Sequence, residues 1–383
     1  APNAAAAYSL RSLTGGDPRV VRVRRSSNNA EQDFTSSEVS SGALTSFVNE
    51  IQTLGTVTNS VGNDGFALTN KSSTGFTATT DTATGVCGWP YTAKAGDKIT
   101  VSFDAVIRSG TPQFIPRKAT ALSGSNLVDV VSDSAISVNS TASYSFEFTY
   151  DSDEAGSLTF SEGDDNADFD ISNFKVTAFK GAGLVETWYD QSGNSNDAVQ
   201  ATAGSQPKIV SSGSLNTSGG LEFDGSDDFF SLTSNISFEN KAGCVFSLQD
   251  GQDSSNDFTL GRTDNNRGIG FRNIQTRWFY TTGAIDIDNS SPPSGLALFT
   301  ALHDGTTNDP NVKAFVNGSL IVDGSPDANQ GEANVSTVAD QIGARRALSF
   351  LEGTVTEIVI YDTDQTNNRA ALETEIISHY GIS

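Results

Sequence analysis

Residues 187–198 read Thr187-Trp188-Tyr189-Asp190-Gln191-Ser192-Gly193-Asn194-Ser195-Asn196-Asp197-Ala198. A β-prone run leads directly into a segment rich in Gly and Asn, residue types that favour turns. We expect the two aromatic side chains to pack beneath the turn, and Asp190 and Asn194 to hydrogen-bond its backbone. The run is predicted to determine the fold rather than to form a site, and its members are Trp188, Tyr189, Asp190, Gln191, Ser192 and Gly193.

The composition is typical of many short strands joined by turns. The chain has 383 residues, of which 36 are Gly and none is Met, and Ser, Thr, Asn and Asp are abundant. A formal net charge of −23 repels phosphate backbones, so nucleic acid is not an expected partner. No segment has the roughly 18 apolar residues of a membrane helix, and the first seven residues do not resemble a signal peptide.

The length is sufficient for two domains, each with its own core. The two cysteines, Cys87 and Cys244, fall in different predicted domains, so we expect two free, buried thiols rather than a disulfide framework. Zinc is not expected, because neither cysteine has the ligand spacing of a zinc site with either histidine.

Residue periodicity indicates mostly strands. Alternation of apolar and polar residues predicts strands over 5–13 and 19–25, and apolar spacing over 36–48 predicts one short helix ending near Asn49. Near the end, residues 356–362 read as a strand, followed by an amphipathic helix over 366–380 that Gly381 terminates. Asn317-Gly318 is the signal for a type I′ hairpin turn.

The motifs together resemble a known family. The Arg-rich opening, Arg22-Val23-Arg24-Arg25, the run at 187–198 and the FDGxDD-like turn at 223–228 occur in the order found in concanavalin-A-like jelly rolls. The resemblance is to the laminin-G-like N-terminal domain of B-type α-L-arabinofuranosidases and to related phage virion proteins. It implies a discontinuous jelly-roll domain over 1–50 and 184–383.

Residues 51–183 carry a separate pattern. Strands are predicted over 98–106, 143–150, 156–160 and 167–179. Their order resembles the galactose-binding-like β-sandwich of carbohydrate-binding modules. The predicted fold class is therefore all-β, with a jelly roll interrupted by a second sandwich and few short helices, one of them C-terminal.

The resemblance implies a fold but not an intact active site. Glycosidases need two carboxyl groups flanking one bond, and no Glu-x-Asp-x-x-Glu run is present; Glu352 and Glu357 are five residues apart and face opposite ways on a regular strand. Arginines in 341–346 occupy the place where the arabinofuranosidase pattern has its acid. Residues 257–264 contain no glutamate at the nucleophile's place. His303 and His379 are interpreted as surface or packing residues, and no catalytic residue is predicted.

Carbohydrate recognition is the expected binding chemistry, because sugars stack on exposed aromatic rings beside hydrogen-bonding side chains. Two aromatic pairs and two neighbouring arginines are the candidates: Trp89, Tyr91, Trp278, Tyr280, Arg272 and Arg277. No cofactor is expected, although a structural calcium ion is left open at Asp224, Asp227 and Asp228; the simpler interpretation is that these aspartates cap turns.

Three functions are compatible with the sequence. The first is a non-enzymatic phage virion protein, as decoration, fibre or tail component, whose partners are cell-surface or environmental glycans and other virion proteins; a homo-oligomer is left open. The second is a secreted bacterial adhesin module. The third is a glycoside hydrolase with rearranged carboxylates, in which mutation of Glu222 or Asp224 abolishes activity. The expected location is the virion surface or outside the cell.

Overall fold

A computed structural model gives the structure of the chain. It describes residues 2–59, 66–80, 85–93, 98–117, 135–150, 154–162, 167–179, 181–216, 219–239, 241–250, 258–263, 268–271, 275–280, 283–288, 293, 295–303, 312–324, 338–346 and 348–382. The chain divides into two compact units. Unit 1 comprises Ala1–Phe47 and Ala182–Ser383, and unit 2 comprises Val48–Gly181.

Unit 1 begins with three strands and two short helices. They are β1 (Ala6–Ser9), β2 (Arg19–Arg25), β3 (Glu31–Thr35), α1 (Ser36–Ser40) and α2 (Ala43–Val48). Thr35 and Glu38 form a reciprocal capping box at the start of α1. The prediction of a single helix here is wrong, because Gly42 lies between the two helices with a φ of 83°, outside helical geometry.

The described residues of unit 2 form eleven strands in two antiparallel sheets. They are β4 (Glu50–Gln52), β5 (Thr58–Asn59), β6 (Phe66–Thr69), β7 (Phe76–Thr80), β8 (Gly85–Ala93), β9 (Lys98–Ser109), β10 (Gln113–Arg117), β11 (Ile136–Ser137), β12 (Ala142–Thr149), β13 (Glu154–Glu162) and β14 (Asp168–Phe179). One sheet has the order β11-β10-β13-β8-β5, and the other has the order β12-β9-β14-β7-β6, with β4 paired to β14.

Aromatic side chains from both sheets form the core of unit 2. Trp89 on β8 stacks on Phe174 of β14, with ring centroids 3.9 Å apart. Phe160 on β13 lies edge-on to Phe103 of β9, at 5.0 Å. Rings bury a large apolar area and prefer offset or edge-to-face contacts, so this cluster stabilises the sandwich.

The remainder of unit 1 is again mostly strands. They are β15 (Gly183–Trp188), β16 (Ala198–Val199), β17 (Lys208–Ser211), β18 (Ser214–Leu215), β19 (Leu221–Asp224), β20 (Phe230–Ser237), β21 (Gly243–Asp250), β22 (Leu260–Gly261), β23 (Gly268–Phe271), β24 (Gln275–Tyr280), β25 (Gly283–Asp288), β26 (Ala297–His303), β27 (Val312–Val316), β28 (Ser319–Gly324), β29 (Val338–Ile342), β30 (Ala344–Arg345), β31 (Ser349–Phe350) and β32 (Glu352–Tyr361). Helix α3 (Arg369–Tyr380) follows, and a 3₁₀ turn lies at Ala203–Ser205.

All strands of unit 1 except the β30–β31 hairpin belong to one antiparallel network that closes on itself. The chain's first strand, β1, pairs with its last, β32, so that Ala6 lies opposite Ile360. Helix α3 packs against the same region through Ile376, which joins an apolar cluster with Phe246 and Tyr361. Both ends of the chain therefore contribute to one core.

The fold class predicted from the sequence is confirmed: the chain is all-β, and its described residues include three short α-helices, one of them C-terminal. Cys87 and Cys244 are free and buried, as expected. Asn317 and Gly318 both have positive φ, at 48° and 78°, as a type I′ turn requires. Gly381 ends α3 in the left-handed conformation. No helix among the described residues is long and apolar enough to cross a membrane.

Replacing Trp89 with Ala tests the core of unit 2. Removing a fully buried Trp deletes apolar contacts and leaves a cavity, so we expect the free energy of unfolding to fall by about 3–5 kcal/mol. The measurement is guanidinium-induced unfolding followed by circular dichroism. Val106→Ala, on the same sandwich at a side chain that is 42% exposed, is the control and should cost about 0.5 kcal/mol or less. Equal losses in both variants would contradict this account of the core.

Candidate functional site

The run at 187–198 leaves β15 and turns beside the first strand of the chain. Trp188, the last residue of β15, is fully buried. Its ring lies 5.5 Å from that of Tyr8 on β1 and 6.4 Å from that of Phe230 on β20, measured between centroids. Trp188 therefore joins three strands that are distant in sequence.

Asp190 organises the turn through both carboxylate oxygens. Oδ1 accepts hydrogen bonds from the backbone N–H groups of Ala7 and Ser192, both at 2.9 Å. Oδ2 accepts from the Ser192 hydroxyl at 2.7 Å and from the Asn196 N–H at 3.0 Å. The carboxylate thus satisfies donors of its own turn and one donor of β1, 183 positions earlier.

The two amide side chains of the turn contact the N-terminal segment. Gln191 donates from Nε2 to the carbonyls of Ser9 and Arg11, and its Oε1 accepts from the Leu13 N–H. Asn194 donates to the carbonyl of Ala4 at 2.9 Å. Its predicted hydrogen bond to the turn's own backbone is therefore corrected, because its Nδ2 faces the chain's first residues instead.

Tyr189 is only half-buried and is held by charged neighbours. Its hydroxyl donates to Asp33 at 2.8 Å, and the Arg19 guanidinium lies 4.9 Å from the ring centroid. Burial and the nearby Asp33 carboxylate raise the pKa of Tyr189 to about 12, so the phenol remains a donor at neutral pH. Gly193 has a φ of 93°, a value that requires a residue without a Cβ.

An open groove of about 590 Å³ lies beside this turn. Amide and hydroxyl side chains dominate its walls, together with one ion pair between Lys241 and Asp362 at 2.8 Å. The polar lining residues are Asn3, Ser192, Asn194, Asn196, Ser234, Asn235 and Ser237. We call this feature the amide groove. Uncharged donors and acceptors on a concave surface match the hydroxyl groups of a sugar.

The sequence predicts two pairs of exposed aromatic residues as sugar-binding platforms, and the structure tests one of these pairs. The prediction that Trp89 and Tyr91 are exposed is wrong, since they are 0% and 5% exposed and belong to the core of unit 2. Residues two apart on a strand share one face, and on this face of β8 Trp89 stacks on Phe174 of β14, in the other sheet. Trp278, Tyr280 and Arg277 lie on β24, but their side chains fall outside the described residues, as does Arg272 altogether.

Asp224, Asp227 and Asp228 converge after β19. One oxygen from each lies within 4.8 Å of the others, about twice a calcium–oxygen distance, so they fit a hard cation. Backbone N–H groups also bind them: Asp224 Oδ1 accepts from Ser226 and Asp227, and Asp228 Oδ2 accepts from Asp224. Turn capping is thus present, and calcium at these residues stays a prediction.

Asp228 is the most strongly perturbed carboxyl of this group. It is 6% exposed, whereas Asp224 and Asp227 are exposed. Burial, and then repulsion from the Asp224 carboxylate, raise the pKa of Asp228 to about 7. Near neutral pH the group is therefore divided between its protonated and ionised forms.

The other candidates for catalysis are placed as packing or surface residues. Glu352 is exposed at the start of β32, whereas Glu357 on the same strand is 1% exposed and ion-paired with Arg11. His303 is buried on β26, and His379 is exposed on α3. The arginine at 345 lies over Phe258, with its guanidinium carbon 4.0 Å from the ring centroid.

Sequence reasoning missed both the amide groove and the buried pair of Arg11 and Glu357. The groove has a weak signal, the closely spaced Asn194 and Asn196 beside a strong turn motif, but its other walls come from residues 3–5 and 234–237. Glu357 lies between Thr356 and Ile358 on a strand and has no local signal. Its partner is 346 positions away.

Comparison with known proteins gives similarity of structure only. No family model and no curated protein matches the sequence. Similar solved structures include a mutant of Trypanosoma rangeli sialidase displaying trans-sialidase activity, at 14% identity and a TM-score of 0.34. That match covers 67% of this chain and 47% of the sialidase chain, so this chain spans less than half of that protein.

Two further similar structures come from Geobacillus stearothermophilus and Paenibacillus barcinonensis. One is domain 4 of AbnA, a GH43 extracellular arabinanase from Geobacillus stearothermophilus in complex with arabinotriose, at 15% identity and a TM-score of 0.30, covering 47% of this chain and 82% of that one. The other is the N-terminal tandem of CBM22 domains from Paenibacillus barcinonensis Xyn10C, at 10% identity and a TM-score of 0.26, covering 82% and 98%. At these identities the likeness concerns the fold alone.

The prediction of a non-enzymatic protein is corrected. Sialidases, and a domain of an arabinanase, are among the structures with which this chain shares structural similarity. That prediction was based on the missing carboxylate motif, and the absence of one motif does not exclude catalysis.

Asp190→Ala should destabilise unit 1. The change removes four hydrogen bonds and leaves the Ala7, Ser192 and Asn196 N–H groups without this acceptor, so we expect a loss of about 2–4 kcal/mol in unfolding free energy. Urea unfolding measures it. Asp362→Ala, which removes the carboxylate of an ion pair with an exposed lysine, is the matched control and should cost at most about 1 kcal/mol. A loss no larger than the control's would show that Asp190 does not hold the turn.

Asp228→Asn should change how stability depends on pH. Because the folded-state pKa is raised above the ordinary value of 3.8, the native protein loses stability as pH rises from about 4 to about 7. The variant lacks this loss, so at pH 8 without calcium it should be more stable than the wild type by about 2–4 kcal/mol. Thermal and urea unfolding across pH 4–8 measure the difference.

The same comparison with calcium chloride or a chelator tests the cation. If calcium binds the three aspartates, millimolar calcium raises the melting temperature of the wild type at pH 8 and has a smaller effect on Asp228→Asn. Identical melting curves with calcium and with chelator would remove the calcium prediction. A pH profile that is the same in both proteins would contradict the raised pKa.

Proposed function

We propose that the chain is a carbohydrate-binding protein and that the amide groove of unit 1 binds neutral glycans. The observation that carries the proposal is the set of amide and hydroxyl groups that line one concave surface of about 590 Å³. Glycan hydroxyls donate and accept hydrogen bonds, and side-chain amides do both within one planar group.

Several of these groups are fixed in place but retain bonding capacity. Asn196 is 4% exposed, and its Oδ1 accepts from the Ser234 N–H at 2.7 Å, while no described residue accepts a hydrogen bond from its Nδ2. Asn194 uses its Nδ2 on Ala4 and Ala5. Side chains held in this way lose little conformational entropy when a ligand binds.

Charge favours a neutral ligand. The only ion pair among the groove-lining residues, Lys241 with Asp362, contributes no net charge, and the whole chain carries −23. A negative surface potential repels anionic ligands. Neutral hexose or pentose chains are therefore the expected class, and sialylated or uronic-acid glycans are disfavoured.

Asn235→Ala tests the groove. Asn235 is exposed and makes no hydrogen bond to a described residue, so its loss should leave stability unchanged. Losing one ligand hydrogen bond of about 1 kcal/mol weakens binding by about fivefold. An array of neutral and sialylated glycans selects a ligand, and calorimetry with that glycan measures affinity. Asn367→Ala, at an exposed asparagine before α3, is the control.

The outcomes are distinct. Weaker binding in Asn235→Ala with unchanged binding in Asn367→Ala supports the proposal. Glycan binding that neither Asn235→Ala nor Asn3→Ala alters would move the site elsewhere. No binding to any neutral glycan would reject the function.

Glycoside hydrolysis at the three aspartates is the second candidate. One observation favours it: Asp228 has its pKa raised to about 7, and it shares a site with Asp224 at a carboxylate separation within 4.8 Å. Neighbouring carboxyls with separated pKa values can divide the acid and nucleophile roles of a glycosidase. Release of reducing sugar from a polysaccharide panel, abolished by Asp224→Asn and by Asp228→Asn, would support it. Absence of release would reject it.

The biological location stays a prediction. A place on a phage particle, with other virion proteins as partners, rests on the resemblance of the sequence motifs, and a secreted adhesin is the alternative. The position of the gene among capsid and tail genes, together with mass spectrometry of purified particles, distinguishes the two. Sedimentation measures whether the chain forms a homo-oligomer.

A further inference from the structure

We propose that unit 1 has a second, chemically different binding site, a pocket for a small amphipathic cation beneath helix α3. The pocket has a volume of about 310 Å³ and lies between the segment that follows β1, strand β32 and α3. It is separate from the amide groove, with which it shares no lining residue.

Most of the wall is apolar. Phe246 of β21, Val359 and Tyr361 of β32, and Leu372 and Ile376 of α3 line it. Four of these side chains are at most 5% exposed and belong to the cluster that joins α3 to the sheet. A volume near 300 Å³ lies at the lower end of small-molecule pockets, so the occupant is the size of a single substituted ring.

One end of the pocket carries a buried charged group. Arg11 donates from Nε to Glu357 Oε2 at 2.7 Å and from Nη2 to Glu357 Oε1 at 2.9 Å. It also donates to both oxygens of Glu375. Glu357 is 1% exposed and accepts two further hydrogen bonds, from the hydroxyls of Ser9 and Tyr380.

This arrangement determines the charge of the ligand. One guanidinium faces two carboxylates, so Arg11, Glu357 and Glu375 together carry a charge of −1. The hydrogen bonds from Arg11 lower the pKa of Glu375, which keeps that carboxylate ionised at neutral pH. The guanidinium already donates to both carboxylates, so an anion would have to compete with them for Arg11, whereas an ammonium group would add a positive charge beside Glu375. His379 and the amino terminus also act on Glu375, but more weakly than Arg11 does.

A hydroxyl beside the charged end also lacks a partner. Ser12 lines the pocket, and its Oγ is inaccessible to solvent with no hydrogen-bond partner among the described residues. A buried hydroxyl without a partner destabilises the free protein. An ammonium group offers three donors to the Glu375 carboxylate, whose side chain is 57% exposed, and it would reach the Ser12 hydroxyl only after that side chain rotates toward the pocket.

Three probes that share one ring and differ in charge test the proposal: benzylamine, benzyl alcohol and benzoate. Titration of the full chain, followed by calorimetry or nuclear magnetic resonance at pH 7, should give binding in the order amine, alcohol, benzoate. We expect the amine to bind at least tenfold more tightly than benzoate. Equal binding of amine and benzoate, or no binding of the amine at 10 mM, would overturn the proposal.

Two substitutions locate the site. Leu372→Trp fills the pocket from α3 and should abolish amine binding, while Leu320→Trp, at a leucine of β28 that is 49% exposed, should not. Glu375→Gln, at a side chain that is 57% exposed, removes the excess negative charge and should reduce the preference for amine over alcohol by at least fivefold. Amine binding that survives Leu372→Trp in a protein with unchanged circular dichroism would place the ligand elsewhere.

The result is independent of the proposed carbohydrate function. Leu372→Trp should leave binding of the selected neutral glycan unchanged, since Leu372 does not line the amide groove. Asn235→Ala, in turn, should weaken glycan binding without altering the affinity for benzylamine. The two proposals can therefore be rejected separately.

Discussion

The carboxylate of Asp190 is the interaction on which unit 1 depends. It joins the turn after β15 to the backbone of β1, so residues on either side of the whole of unit 2 meet at one side chain. Trp188 packs against Tyr8 immediately beside it. Because β1 also pairs with β32, the beginning, middle and end of the chain are coupled through a few adjacent contacts.

The ion pairs on the surface of unit 1 differ from the pair in its interior in how far solvent reaches them. Most ion pairs are on partly exposed side chains, such as Arg22 with Glu31, where solvent weakens them. Glu357 is different, because a bidentate guanidinium and two hydroxyls surround it where water is excluded. Removing one partner of such a pair leaves an uncompensated buried charge, so loss of either Arg11 or Glu357 is expected to be costly.

Period-two alternation was sufficient to predict the strands whose one face is buried. Strand β9 alternates almost without exception, and the sequence located its start at residue 98 and underestimated its end by three residues. The helix over 36–48 was less accurate, because apolar spacing continues across Gly42 although the backbone does not. Local patterns record which face is buried, but a single glycine conformation can override them.

The sites were harder to predict than the fold, for a physical reason. An alternating strand looks the same whether its aromatic face meets solvent or another sheet, so Trp89 could not be assigned to a surface or to a core from β8 alone. The amide groove and the pocket beneath α3 each combine segments more than 150 residues apart. Short polar residues such as Asn196 line a binding surface only when folding brings these segments together.

Unit 2 interrupts unit 1 between Phe47 and Ala182, and the two ends of each unit lie close together at this point. The first and last strands of unit 2, β4 and β14, are neighbours in one sheet, with Glu50 opposite Ala178. The interrupted ends of unit 1 also converge: the ring of Phe47 lies 4.5 Å from the Arg25 guanidinium carbon, and the next residue, Ser26, exchanges hydrogen bonds with Ala182. Because the ends of each unit lie close together, an insertion at this point interrupts the chain of unit 1 without breaking either core.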